Sequence, residues 1–181
     1  MNNQMIKILL TEDQIQNRVK ELGAKITNDY KDKKLLMISV LKGSVVFMSD
    51  LMRAVNVKLR IDFMSVTTYC GGTKSTGVVK FLKDLDMDVA GYDVLIVEDI
   101  LDSGLTLNYL KNLLLQRNPK SIKIVTLLDK AEKREIDIEA DYVGFKIPDK
   151  FVIGYGLDDD EGCSRNLPYV GFLDLDDESS D

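Results

Sequence analysis

Residues 98–106 read Glu-Asp-Ile-Leu-Asp-Ser-Gly-Leu-Thr and carry the groups around which the chain is organised. The backbone N–H groups of Asp102, Ser103, Gly104, Leu105 and Thr106, two hydroxyls, and a glycine that admits close approach together suit a phosphate. No lysine follows the glycine, which excludes the triphosphate P-loop. Glu98 and Asp99, when ionised, can only accept hydrogen bonds, so they fit sugar hydroxyls or a divalent cation. A phosphate at one end and diol-binding acids at the other describe a ribose phosphate. The plainer alternative is a helix capped by Asp102 or Ser103 with exposed acids beside it, and taken alone the loop admits both.

Two lysines stand in comparable places. Leu41-Lys42-Gly43-Ser44 follows a second apolar run and repeats the plan of short loop, glycine and helix start, now with a lysine suited to a second anion. Its bland counterpart is a solvated lysine with Ser44 as cap. Lys130 follows a third apolar run, where it could read a carbonyl oxygen or simply face solvent. Arg165 lies in a polar loop further on. The Asp84-Leu85-Asp86 triplet superficially resembles a phosphatase motif, but no clean buried strand precedes it, and it reads as a solvated connection.

These groups need a frame. Val94-Leu95-Ile96-Val97 has no polar alternation, as expected of a strand buried on both faces in a parallel sheet. Residues 35–40 repeat that pattern, and residues 121–128 and 142–147 read as further strands. Residues 58–68 alternate, with Leu59, Ile61, Phe63 and Ser65 on one face. A polar Gly/Ser/Thr stretch at 69–77, a candidate water-excluding lid, separates them from a returning strand at 78–82. Thr11-Glu12-Asp13-Gln14 reads as a capping box opening a helix with Ile15, Val19, Leu22 and Ile26 on one stripe. Helices also follow Ser44 and Gly104, the latter ended by Asn118-Pro119. The right-handed strand–helix–strand rule brings the loops to one sheet edge, where open α/β sheets bind ligands.

With 181 residues, 45% hydrophobic and 30% charged, the chain fits one domain, 1–181, with an acidic, frayed tail at about 174–181. The net charge of −6 disfavours nucleic acid and anionic membrane as partners. No apolar run approaches the ~20 residues of a membrane span, and residues 1–10 are an apolar patch too short for a secretory peptide. Cys70 and Cys163 form no metal or disulfide pattern, so a reducing cytoplasm is expected. The sequence has no histidine, which removes histidine triads and leaves Asp, Glu, Lys, Tyr or Cys as the general base.

Residues 97–106 resemble the phosphoribosyl pyrophosphate motif of type I phosphoribosyltransferases, and the Glu-Asp-Ile-Leu-Asp form resembles the hypoxanthine-guanine branch. The likeness spans roughly 42–165. It implies a type I phosphoribosyltransferase α/β fold: a largely parallel central sheet flanked by helices, with a small hood and a mobile loop. It also implies Mg2+-dependent transfer of a phosphoribosyl group to a 6-oxopurine, in a homodimer or homotetramer. By the resemblance, residues 102–106 hold the 5′-phosphate and Glu98 and Asp99 the ribose diol, with Asp102 as general base. Leu41, Lys42 and Gly43 form a pyrophosphate loop whose peptide before the lysine is often cis. Thr68-Tyr69 stands where the family has Ser-Tyr. Lys130 meets the six-position oxygen, Phe151 stacks on the base and Val152 offers backbone groups. Arg165 contacts pyrophosphate, after a loop one residue longer than the usual bacterial pattern, and Glu98, Asp99 and Asp158 meet magnesium. Two other classes compete. A regulator on the same fold would want a basic face or an added winged domain; a receiver-type signalling domain leaves the Asp-Ser-Gly-x-Thr loop unexplained.

Overall fold

The computed structural model describes residues 6–68 and 79–173. In chain order the elements are β1 (Ile6–Leu10), α1 (Glu12–Asp29), β2 (Leu35–Leu41), α2 (Val45–Ala54), β3 (Leu59–Thr68), β4 (Val79–Lys83), β5 (Asp93–Leu101), α3 (Leu105–Leu115), β6 (Ser121–Asp129), β7 (Tyr142–Lys146), β8 (Val152–Ile153) and β9 (Val170–Leu173), with a 3-10 turn at Ala131–Lys133.

The aliphatic runs form the middle of a six-stranded sheet ordered β4-β3-β2-β5-β6-β7. All its pairs are parallel except β3 with β4. Within β2 and β5 the side chains alternate between two packed faces, which is why Leu35–Ile38 and Val94–Val97 are unbroken apolar runs. Leu35, Met37, Leu95 and Val97 meet Ile15, Val19, Leu22 and Ile26 of α1 and Phe47 and Leu51 of α2. Leu36, Ile38, Val94 and Ile96 meet Leu107, Leu110 and Leu114 of α3 on the other side. Each such fully buried aliphatic side chain contributes roughly 1.5–3 kcal/mol. The helix starts follow local chemistry: Gln14 N donates to Thr11 Oγ1 at 3.3 Å and Thr11 N to Gln14 Oε1 at 2.9 Å, a closed capping box.

Strand order reverses between β2 and β5, which lie side by side, with Ile38 opposite Ile96 and Ser39 opposite Val97. This is the topological switch point. The loops that leave the two strands at their carboxyl ends open a crevice there.

A second sheet, β1-β9-β8, is antiparallel and corresponds to the hood. Its strands were not legible as strands: β1 falls in what reads as an apolar patch, and β8 has two residues.

On β3 the pattern differs from the expected alternation. Ile61 is exposed, while Met64 and Asp62 on the opposite face are buried. Asp62 Oδ2 accepts from the Asp86 and Met87 amides at 2.9 and 3.2 Å, and its Oδ1 from Phe63 N at 2.7 Å. A buried acid therefore organises the turn after β4. Asp84, Asp86 and Asp88 are solvated, as the sequence indicates. Among the described residues no helix is long and apolar enough to cross a membrane.

Candidate active site

The crevice at the switch point is a cleft of about 240 Å³ whose lining includes Leu41, Gly43, Glu98, Asp99, Asp102, Ser103, Gly104 and Thr106. The start of α3 departs from the plainer sequence reading. Neither Asp102 nor Ser103 caps the helix; the cap position is Gly104, at φ +84°, with no side-chain cap bond. Ser103 Oγ receives only a long 3.4 Å bond from Leu105 N. The amides of Ser103 and Gly104 have no protein acceptor among the described residues. Free amides at a helix N-terminus that line a cleft form an anion cradle. There is no room behind the cradle for a side chain at 104, since a Cβ there stands 2.4 Å from Ile138 Cγ2. Asp102 Oδ1 is buried without a partner.

The two acids beside the cradle are electrostatically loaded. Burial, then repulsion from Asp99, pushes Glu98 well above the usual carboxylate range. Glu98 Oε2 is buried with no hydrogen-bond partner. Burial pushes Asp99 up to about 6 against its Ile100 amide bond, which works the other way; that bond is 2.7 Å, to Oδ1. Two adjacent, poorly satisfied carboxylates suit donors or a cation brought by a ligand. Among the described residues no three acidic, histidine or cysteine side chains converge closely enough to cage a metal by themselves. Magnesium, however, is commonly held by one or two carboxylates plus substrate phosphates, and Glu98 with Asp99 fits that mode.

The loop after β2 faces the same cleft. Its Leu41–Lys42 peptide is cis, as the resemblance implied. Ser44 turns inward and does not cap α2: its Oγ donates to Val40 O at 2.6 Å and lies 2.7 Å from Ser39 Oγ. Gly43 allows Asp99 to approach, because a Cβ on it would stand 1.5 Å from Asp99 Oδ2. The Lys42 side chain is exposed.

At the carboxyl end of β6, Lys130 is buried, at 6% exposure, contrary to an ordinary surface lysine. Its amide donates to Leu101 O at 3.0 Å, and its Nζ lies 3.7 Å from Asp149 Oδ1. Phe151 is 56% exposed, which excludes core packing as its role, while Val152 is buried in β8. A bare ring beside a buried strand end offers a stacking face.

Asp158 and Arg165 are brought together: Arg165 Nη2 pairs with Asp158 Oδ2, and Nη1 donates to Gly156 O at 2.7 Å. The 159–164 loop forms a turn closed on Asp159, which accepts from Glu161 N, Cys163 N and Ser164 Oγ. Gly156 at φ +103° presses on the other loop, with a Cβ position 2.0 Å from Gly43 O. Tyr155 fixes this turn by donating to Asp50 Oδ2 of α2 at 2.6 Å.

Tyr155, Asp50, Asp149 and Arg134 were missed as site-supporting residues. Asp50 reads as a helix-surface acid and Arg134 as part of a polar turn, and no spacing rule links either to the cleft. Of the expected lid, the Thr68 side chain, Tyr69 and residues 70–77 lie outside the described residues, as do Cys70 and the 174–181 tail. Cys163 is free and exposed.

Residues 6–160 match the model of the phosphoribosyl transferase domain. The chain is 54% identical over 173 residues to the hypoxanthine-guanine phosphoribosyltransferase of Bacillus subtilis (strain 168), covering 96% of each. It superposes on a solved hypoxanthine phosphoribosyltransferase from Staphylococcus aureus with TM-score 0.92 and 52% identity, covering 99% of this chain and 97% of that one. A Trypanosoma cruzi hypoxanthine phosphoribosyl transferase, solved in a study of how its C-terminal region affects oligomeric state and activity, superposes with TM-score 0.88 at 46% identity, covering 93% and 91%.

Proposed function

This chain belongs to the phosphoribosyl transferase family, and from that premise we propose that it is the purine-salvage enzyme that moves a phosphoribosyl group from phosphoribosyl pyrophosphate to hypoxanthine or guanine. The bond from C1′ of the ribose to pyrophosphate breaks, a bond from C1′ to the purine's imidazole nitrogen forms, and that nitrogen's proton leaves. The products are IMP or GMP and pyrophosphate. One observation carries the assignment within the molecule: an anion cradle, two diol-accepting acids and a lysine loop face one cleft at the switch point.

In this mechanism the amides and hydroxyls of residues 102–106 hold the 5′-phosphate, and Glu98 and Asp99 accept from the ribose hydroxyls. Lys42 and Arg165 meet the pyrophosphate, with the backbone of Leu41 and Gly43 shaping its loop. As the C1′–oxygen bond stretches, the sugar gains positive charge, and the half-buried carboxylates beside it are worth more there than in water. Asp102, whose Oδ1 has no protein partner, takes the purine proton. Lys130 donates to the six-position oxygen and so disfavours adenine, whose amino group opposes a donor with a donor. Phe151 stacks on the base and Val152 offers main-chain groups to its edge. Mg2+, when bound, offsets charge on the leaving pyrophosphate; Glu98, Asp99 and Asp158 are the carboxylates available to hold it. Thr68 and Tyr69 are further substrate-binding positions in this reading.

Residues 1–181 form one domain in this reading. We place the enzyme in the cytoplasm as a homodimer or homotetramer that feeds IMP formation. The regulatory alternative gains no support from the relatives. A spectrophotometric assay tests the proposal: hypoxanthine should be consumed only with phosphoribosyl pyrophosphate and Mg2+ present, guanine also, and adenine far more slowly. No consumption of either 6-oxopurine would refute it.

A further inference from the structure

The 3-10 turn after β6 and the segment that follows it run behind the cradle, where they form a strap across its back. Arg134 is largely buried, and its guanidinium forks: Nη1 donates to the main-chain carbonyl of Asp102, and Nη2 to Asp129 Oδ1. The next amide, Glu135 N, donates to Ser103 O at 3.0 Å. Two consecutive carbonyls of the cradle are therefore held toward the strap. In a trans peptide the N–H points opposite to the C=O of the same unit. Among the described residues the Leu41–Lys42 bond is the one cis peptide, so the Ser103 and Gly104 amides point away from the strap. They have no acceptor within the protein and line the cleft.

We propose that Arg134 is a positioning residue for phosphate recognition: by fixing the Asp102 carbonyl to the strap, it aims the Ser103 and Gly104 amides at the ligand's 5′-phosphate. The inference rests on the reading that this cradle binds that phosphate, and it adds a residue that touches no substrate. Asp129 is the second half of the device. It is a buried carboxylate at the end of β6 that anchors the guanidinium and keeps it from turning into the cleft. A neutral side chain would leave the Asp102 carbonyl free to rotate its peptide, and the amide on the far side would swing with it.

The test compares two ligands that differ only in the phosphate, inosine 5′-monophosphate and inosine, on wild type, Arg134→Met and Arg134→Lys, by titration calorimetry and competition. In Arg134→Met the monophosphate should bind about tenfold more weakly, the scale of one misdirected bond to a charged group. Inosine should stay within about twofold of wild type, because its anchors lie elsewhere. Arg134→Lys, which keeps the charge but not the fork, should fall between. Monophosphate binding unchanged in Arg134→Met, or the two ligands weakened by the same factor, would overturn the inference. If Arg134→Met does not fold, Arg134→Lys decides: an unaltered ratio of the two affinities refutes the idea. Wild-type turnover of hypoxanthine separates the two levels. An active wild type with an unaltered ratio sinks only the role of Arg134, and a wild type that binds the monophosphate no better than inosine sinks the phosphate cradle as well.

Discussion

The loop after β2 and the loop after β5 leave neighbouring parallel strands at one edge of the sheet, and each runs into a helix through a glycine. They are held in opposite ways. The β5 loop is supported from behind by packing: Ile138 lies under Gly104, and Arg134 and Glu135 bond to its carbonyls. Its amides are left free, and its acids sit in poor solvation. The β2 loop is held from beneath by the Ser44 hydroxyl and from the front by the Gly156 turn, and its lysine is exposed. The difference separates two tasks on one backbone plan. A rigid neutral cradle suits a phosphate that stays with the ribose through the reaction. A cationic loop open to solvent suits one that must depart as pyrophosphate.

If the β5 loop carries the chemistry as well as the grip, its acid is the most sensitive point. Asp102→Asn should lower kcat by about 10²–10⁴-fold, the usual weight of general-base catalysis. The KM for phosphoribosyl pyrophosphate should change little, and steady-state kinetics that show an unchanged kcat would remove Asp102 from that role.

The glycines test the difference in support. Gly104→Ala combines left-handed strain with a clash against Ile138, and should destabilise the fold by about 2–4 kcal/mol. Gly43→Ala meets only the movable carboxylate of Asp99 and should cost less stability while impairing turnover. Urea denaturation of both variants checks the ranking, and equal losses would mean that the two loops are equally rigid.

Asp99 probes the poor solvation directly. Its pKa in the folded protein is about 6 against an ordinary 3.8, so between those values the folded state binds the proton more tightly than the unfolded chain does. Its effect on stability is therefore most favourable below about pH 4, worsens as pH rises toward 6, and is constant above that. Asp99→Asn should raise stability at pH 7.5 by about 2 kcal/mol and much less at pH 4. Thermal melts at the two pH values check the sign, and a gain that did not depend on pH would contradict it.

Lys42 gives the smallest expected effect, because it is exposed. Lys42→Met should raise the KM for phosphoribosyl pyrophosphate about tenfold and leave that for hypoxanthine unchanged, which would distinguish the cationic loop from the cradle.

Much of this architecture was legible in the residues. The unbroken apolar runs of β2 and β5 announced a two-faced parallel sheet, and the Thr11–Gln14 box marked the start of α1. The acids and the Ser-Gly-x-Thr loop marked the sheet edge at which the cleft opens. The plainer cap reading does not hold: Asp102 and Ser103 have the composition of a cap, but the cap position is the left-handed Gly104. On β3 the alternation did mark a strand, but it carried no sign that Asp62 is buried by bonds to a turn more than twenty residues away. Lys130 and Phe151 each had an ordinary reading that only burial could settle, the lysine being inside and the ring outside.

The sequence by itself determined what is local or periodic: strands, helix starts, the order of chemical groups, and the excess of acid that makes phosphate binding a matter of local dipoles. Tertiary structure decided which loops meet and what stands behind them. The reversal of strand order between β2 and β5 puts Gly43 against Asp99, and the fold-back after β6 puts Arg134 under Asp102. Such contacts depend on the packing of segments distant along the chain, and short-range side-chain preferences carry no record of them.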